Sequence, residues 1–226
     1  MYEFVSESIE DGLTKTIVLD IDSPLITYRL PDGRVHNPNG PAKIRTYKGV
    51  IELQEYWKEG RLNRHPLEGE AKIRYRILYD GTQIPSTQEF YQEGLLDRPY
   101  EGPGSGPARI LSTDNYLGGF HVYLEEYLQK GIPNRPFQLG PTKTLFDLID
   151  GIIYHIEEWF YKDGNLHRLD GAAHIRYKVV DGVRVPDLKE FFVEGILVNS
   201  DFTPKPKPPG RINILESLLE DLKSIF

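Results

Sequence analysis

A short motif with two tight turns recurs along this chain of 226 residues. Its clearest copy is residues 158–177. There an aromatic run leads into a turn at Gly164, and a short segment then ends at Arg168. A second turn at Gly171 and a strand-like segment follow. Asp-Gly pairs favour such turns because glycine adopts positive φ without strain. The motif predicts a protein built from repeated β-hairpins.

The spacing within each unit is more regular than the spacing between units. The first turn of each unit carries an equivalent glycine at Gly33, Gly60, Gly94, Gly131, Gly164 and Gly195. In units two to five an arginine follows this glycine by four residues, at Arg64, Arg98, Arg135 and Arg168. Fixed spacing inside a unit and variable spacing outside it indicate hairpins joined by tolerant loops.

The predicted fold is all-β, an elongated array of antiparallel hairpins that forms a twisted sheet over residues 28–199. The aromatic run and the A-K-I-R segment are predicted as the two strands around each turn. Equivalent isoleucines in that segment are expected to face the core, with the flanking Lys or Arg in water: Ile44, Ile73, Ile110 and Ile175.

Three segments depart from the array. Residues 1–27 are predicted to form a β cap on its first edge. Residues 200–210 contain four prolines and are predicted to be an extended linker. Residues 211–226 have the periodicity of an amphipathic α-helix, with one apolar face made by Ile212, Leu215, Leu218, Leu219, Leu222, Ile225 and Phe226.

Two units are irregular. Unit three has a Gly-rich insertion at 100–106. Unit four is expected to be degenerate after Pro141, because T-K-T replaces A-x-I, and residues 145–153 are predicted as a bridging strand or a short helical turn. The array is expected to bend at these two places.

Composition excludes several function classes. The net charge of −7 argues against a broad nucleic-acid surface, and no apolar run is long enough to span a bilayer. The acidic N-terminus lacks the features of a secretory signal, and the chain has no cysteine for disulfides or thiolate sites. We expect a cytoplasmic protein without membrane insertion.

The segment W-F-Y-K-D-G-N-L-H-R-L-D-G-A-A at 159–173 resembles the MORN-like repeat W-Y-x-x-G-x-x-H-R-x-x-G-P-A. Such repeats occur in giant-virus and phage proteins and in bacterial antitoxin-like proteins of the MORN-2 type, and the resemblance covers residues 28–198. It implies β-hairpin repeats with a binding or structural role, and it fits a viral source, in which case the location is host cytoplasm or virion. Only unit five has the His-Arg pair, since Asn63, Asp97 and Asn134 precede the other arginines.

The arginine column allows two interpretations. Arg64, Arg98, Arg135 and Arg168 could present guanidinium groups to an acidic partner. Alternatively, each arginine maintains its unit by pairing with the acidic residue before the turn or with Glu55, Glu89, Glu126 or Glu158. The structural interpretation is favoured, because a residue repeated once per unit usually serves the unit.

Catalytic chemistry finds little support in the sequence. The six histidines are scattered, so no metal site is predicted. No nucleophile elbow and no phosphate-binding loop before a helix is present. We therefore predict no catalytic residues, no metal and no cofactor.

The leading function is a non-enzymatic scaffold for protein–protein interaction, of which a viral structural or accessory component is one form. Its binding residues are predicted to be the four arginines and the helix residues Leu215, Leu218, Leu219, Leu222 and Phe226. The helix either caps the array or binds a protein partner or a second copy, and the long tether favours binding in trans. The alternative is an antitoxin-like or immunity-type inhibitor of one target protein, and the weakest is a hydrolase with its site in unit four.

Overall fold

The computed structural model describes residues 4–19, 22–114 and 120–201. The predicted Pro-rich linker and C-terminal helix therefore lie outside the described residues, apart from Ser200 and Asp201. The described chain is all-β with one short 3₁₀ turn at Phe137–Leu139. Its strands in chain order are β1 Phe4–Glu10, β2 Leu13–Leu19, β3 Leu25–Arg29, β4 Lys43–Tyr47, β5 Val50–Glu55, β6 Trp57–Lys58, β7 Arg61–Leu62, β8 Lys72–Ile77, β9 Gln83–Glu89, β10 Tyr91–Gln92, β11 Leu95–Leu96, β12 Arg109–Asp114, β13 Phe120–Glu126, β14 Leu128–Gln129, β15 Ile132–Pro133, β16 Lys143–Ile149, β17 Ile152–Trp159, β18 Tyr161–Lys162, β19 Asn165–Leu166, β20 His174–Val180, β21 Val183–Val193 and β22 Ile196–Val198.

The longer strands form one antiparallel sheet of fourteen strands, in the order β1-β2-β3-β4-β5-β8-β9-β12-β13-β16-β17-β20-β21-β22. Neighbours in the sheet follow each other along the chain, as hairpins stacked in sequence require. This confirms the predicted all-β class and the large antiparallel sheet of hairpins. The β1–β2 hairpin lies at one edge, where it pairs with β3.

Each unit contains two hairpins rather than the single one predicted. The A-K-I-R strand pairs only at its start with the strand that leads into the aromatic run of its own unit, as His174 does with Trp159. Over more of its length it pairs with the next strand along the chain, as β4 pairs with β5, and this forms a long hairpin that we call an arm. The aromatic run instead forms a short hairpin with the two residues after the glycine, as β6 does with β7. The segments expected to be tolerant loops thus contain the arms.

A narrow band holds the arms together. Adjacent arms pair through only three residues, as β5 and β8 do between residues 53–55 and 72–74. At the outer limit of this band every arm has a register shift, a β-bulge that increases the local twist. Beyond the bulges, the two strands of an arm form ladder pairs with each other and, among the described residues, not with the strands of the next arm. The arms therefore project from a continuous base.

Backbone hydrogen bonds join each short hairpin to the preceding unit. The anchor glycine of each one donates its N–H to a carbonyl of the preceding unit, as Gly94 does to Leu62 at 2.9 Å and Gly164 to Pro133 at 3.0 Å. Each short hairpin has a two-residue turn that ends at its anchor glycine, and both turn residues have positive φ, as Glu93 and Gly94 do. This is the type I′ geometry expected for two-residue hairpins.

Small side chains lie where the chain enters the band from the side of the short hairpins. Ala42, Ala71, Ala108 and Ala173 have no solvent exposure, and Thr142 is buried in the same place in unit four. The hydroxyl of Thr142 accepts from the Tyr161 N–H at 3.0 Å, a bond alanine cannot make. Unit four is therefore complete, and the expectation of degeneracy after Pro141 is wrong. Residues 143–149 and 152–159 are the two strands of its arm.

The equivalent isoleucines share one row of the sheet, in which Ile73 is buried and Ile44, Ile110 and Ile175 are half-buried. The expectation that the flanking cations simply face water is wrong, because Lys43, Lys72 and Arg109 are part-buried and form ion pairs with glutamates.

Candidate functional site

The four arginines of the column stack on aromatic rings of their own units. Each guanidinium carbon lies 3.6–4.0 Å from the centroid of the ring eight residues earlier, as Arg98 does over Phe90 and Arg64 over Tyr56. Such cation–π contacts are worth most where water is excluded, and Phe90 is buried. The other two pairs are Arg135 with Tyr127 and Arg168 with Phe160.

The same guanidinium groups hold the loop that leads into the next arm. Each Nη1 donates to the carbonyl of the residue before the buried Ala or Thr, as Arg98 does to Pro107 at 3.1 Å and Arg135 to Pro141 at 2.8 Å. Arg98 also donates from Nε to the Gly104 carbonyl at 2.8 Å. The arginines do not pair with the predicted glutamates, but Arg168 Nε donates at 2.6 Å to Asp170, the acidic residue before the Gly171 turn. This geometry supports a structural role, and binding of an acidic partner by the column stays a prediction.

A glycine in this loop leaves room for the guanidinium group. A Cβ at Gly106 would lie 2.8 Å from Nη1 of Arg98, at φ +149°. We expect Gly106→Ala to lower the free energy of unfolding by roughly 1–3 kcal/mol more than Gly102→Ala does. Gly102 is the matched control, since it also has positive φ but an added Cβ there meets no atom within 4 Å. Equal losses in urea denaturation of the two variants would contradict this.

A row of cross-strand paired residues crosses the band, and cations and carboxylates alternate along it from Lys43 to Lys143. This charged row consists of Lys43, Glu55, Lys72, Glu89, Arg109, Glu126, Lys143, Trp159, His174 and Glu190. Glu89 lies between Lys72 at 3.0 Å and Arg109 Nε at 2.9 Å. Cross-strand pairs of opposite charge stabilise a sheet, so the row fastens each arm to the next.

Glu89 is the most deeply placed carboxylate of the row, with 7% of its side chain exposed. Burial alone would raise the pKa of Glu89, but hydrogen bonds and charge from Lys72 and Arg109 outweigh it and hold the pKa below its ordinary value. Glu89 therefore remains ionised in the folded protein at neutral pH.

In four units the residue three positions after the anchor glycine links its own turn to the following short hairpin. The ring Nδ1 of His36 and of His167 and the amide oxygen of Asn63 and of Asn134 accept the N–H of the first turn residue in the next unit, at 3.1–3.4 Å. The sequence analysis noted the variation at this place but missed its role. The available signal was that all these side chains can accept a hydrogen bond.

The two last arms carry apolar side chains at their tips, away from the band. Ile152, Ile153, Val180 and Val183, which we call the tip cluster, are 56%, 50%, 46% and 59% exposed. The Tyr154 hydroxyl donates to the Gly182 carbonyl at 3.1 Å, which bridges the two arms beside the cluster. Exposed apolar groups on neighbouring elements are typical of interaction surfaces.

Below this cluster lies a small polar network. Glu158 accepts from the Tyr177 hydroxyl at 2.9 Å and from Arg184 Nη1 at 3.0 Å. Burial, then the hydrogen bond to Glu158 and its charge, raise the pKa of Tyr177 to about 12. The network joins the band to the last arm.

Tyrosinate absorbance provides a test of this network. Because the folded pKa of Tyr177 exceeds the unfolded one, its contribution to stability is complete below about pH 10 and is lost as the pH rises through about 12. We expect Glu158→Gln to lower the pKa of Tyr177, and Tyr177→Phe to remove that component from the titration. An unchanged titration curve in Glu158→Gln would contradict the assignment.

A groove beside the short hairpins has both polar and apolar lining. It has a volume of about 590 Å³, and its lining includes His65, Pro66, Gln92, Ile132 and Asp163. No group of three or more His, Asp or Glu side chains in the described part of the chain is placed to hold a metal ion. No helix among residues 4–19, 22–114 and 120–201 could cross a membrane.

The helix residues predicted to bind a partner lie outside the described residues: Leu215, Leu218, Leu219, Leu222 and Phe226. Comparison with protein-family models, with curated proteins and with solved structures finds no match to this chain. The MORN-like identity therefore stays a prediction based on the motif at 159–173.

Proposed function

We propose that this chain is a non-enzymatic repeat scaffold, and that it binds another protein through the tip cluster. The observation that carries the proposal is the exposure of four branched aliphatic side chains on two adjacent arms. Burying them against a partner would release water from apolar surface without reorganising the array.

The repeated residues hold the array together, whereas the tip cluster is left for binding. The arginines and the charged row make contacts between or within units, whereas the tip cluster lies beyond the bulges, where arms pair only with themselves. The network at Glu158 and the Tyr154–Gly182 bond give the two tips a fixed spacing. A preorganised surface loses less entropy on binding.

Enrichment of the tagged full chain from cells that express it tests the proposal. We expect Ile153→Asp/Val183→Asp to lose at least one copurifying protein by tenfold or more, because charge in an apolar interface is costly. Ile9→Asp, on an exposed side chain of β1, is the matched control and should keep that protein. The same proteins at the same levels in both variants would contradict binding at the tips.

Self-association through residues 211–226 is a second route to the same scaffold function. Light-scattering mass after size exclusion distinguishes the two: Leu218→Asp/Leu222→Asp should dissociate an assembly made by the helix, and the tip variant should not. A monomer that copurifies with one protein in equal amounts would instead favour the inhibitor alternative.

A further inference from the structure

The charged row ends at a carboxylate that resembles the internal ones. Glu89 lies between two cations, Lys72 and Arg109, which belong to the strands on its two sides. Glu190 is the last residue of the row and is held at 2.7 Å by His174 on its inner side. The equivalent outer side of Glu55, Glu89 and Glu126 is where the next strand adds a cation, which is Lys72, Arg109 and Lys143 in turn.

The backbone at the outer edge of β21 also resembles that of an internal strand. Residues 188–190 of β21 are equivalent to 53–55 of β5, which pair with β8. No strand pairs with the outer side of 188–190 within the described ranges. The Ala173 N–H donates to the Glu190 carbonyl, so the N–H of Lys189, the preceding residue, points outward.

The number of residues between equivalent positions identifies the segment that would pair with this edge. In the units with the shortest connections, Asn37 and Arg168 precede Lys43 and His174 of the charged row by six residues. Asn199 stands four residues after its anchor glycine, as Asn37 and Arg168 do after theirs. The sixth residue after Asn199 is a lysine, Lys205.

Other positions in this connection also match. The third residue is Asn39 in unit one, Asp170 in unit five and Asp201 after β22. Asn39 and Asp170 both bond back to the first residue of the connection, at 3.0 Å and 2.6 Å. The chain therefore leaves β22 with the pattern that elsewhere leads into the next strand.

We propose that residues 204–207 of this chain dock on the outer edge of β21 as a closing strand, with Lys205 paired to Glu190. The opposite charges complete the alternation of the row, and the carbonyl of Pro206, opposite Lys189 in this register, accepts the Lys189 N–H. The inference is independent of the tip cluster.

The two prolines fit a terminal strand. In the internal units the residue before the cation donates its N–H to the following strand, as Ala42 does to Glu55 and Ala71 to Glu89. A closing strand has no follower, and Pro204 at this place has no N–H. Proline and lysine are residues that natural edge strands use to prevent further pairing. The closing strand thus ends the array.

Amide exchange of Lys189, followed by NMR in the full chain, tests the proposal. We expect slow exchange in the wild type, an acceleration of roughly five- to tenfold in Lys205→Ala, and less than about twofold in Lys207→Ala. Lys207 is the matched control because it has the same flanking prolines. In a Glu190→Ala background, Lys205→Ala should cause no further change.

Several results would overturn the proposal. Fast exchange of Lys189 in the wild type would show that no strand docks there. Equal effects of Lys205→Ala and Lys207→Ala would reject the register. Protection that rises with protein concentration would show that a second copy occupies the edge instead.

Discussion

Replacing Arg98 with alanine is expected to destabilise the array by roughly 2–4 kcal/mol. The substitution removes the stack on Phe90 and leaves the carbonyls of Gly104 and Pro107 without the guanidinium donor. For a chain of this size the melting temperature should fall by roughly 5–15 °C, measured by circular dichroism.

The control for Arg98→Ala is Arg61→Ala. Arg61 is 66% exposed and lies 3.7 Å from Glu93 on the surface, so its loss should cost less than about 0.5 kcal/mol. Arg98→Lys keeps the charge but not the planar fork, and we expect it to recover less than half of the loss. Equal effects of Arg98→Ala and Arg61→Ala would show that the column does not hold the units, and would favour a binding role for it.

Replacing Glu89 with alanine is expected to cost roughly 2–4 kcal/mol, because Lys72 and Arg109 then face each other across the strand without a counter-charge. Both cations are partly exposed, which keeps the cost below that of a fully buried pair. Urea denaturation of the full chain measures it, with Glu93→Ala, at an exposed glutamate, as the control.

The contribution of Glu89 should depend on pH with a defined sign. The pKa of Glu89 in the folded protein is below the ordinary value of 4.5, so the stabilisation is present above that value and is lost as the pH falls through the folded pKa. The difference in stability between the wild type and Glu89→Gln should therefore shrink below about pH 4. A difference that stays constant from pH 7 to pH 3 would contradict the ion-pair account.

The sequence predicted those parts of the fold that recur in every unit. The anchor glycines and the arginines recur because each makes a fixed contact: Gly94 donates to the preceding hairpin, and Arg98 holds the connecting loop. The residue types at the turns and the recurrence of the unit were therefore enough to predict an all-β array of hairpins.

The arms were missed because their outer residues need not recur. Beyond each bulge the ladder pairs of a strand lie within its own arm, so Tyr75 faces Pro85 in one unit while Phe146 faces His155 in another. The charged row was readable in principle, since Lys43 and Glu55 recur as Lys72 and Glu89, but it becomes evident only once the register is known.

The candidate site was the least predictable part. Apolar residues beside a turn, such as Ile152 and Val183, look like ordinary strand residues in the sequence, and their exposure follows only from the projection of the arms. Thr142 was misjudged for a related reason, because its hydroxyl replaces a packing contact with a hydrogen bond to Tyr161.

Crosslinking mass spectrometry of the full chain with its enriched partner tests the central claim most directly. Lys178, which is 59% exposed, lies two residues before Val180 of the tip cluster, whereas the exposed Lys162 lies on a short hairpin and lines a neighbouring groove. We predict that crosslinks to the partner concentrate at Lys178 and are absent at Lys162. Crosslinks at Lys162 without any at Lys178 would place the partner in the groove and contradict binding at the arm tips.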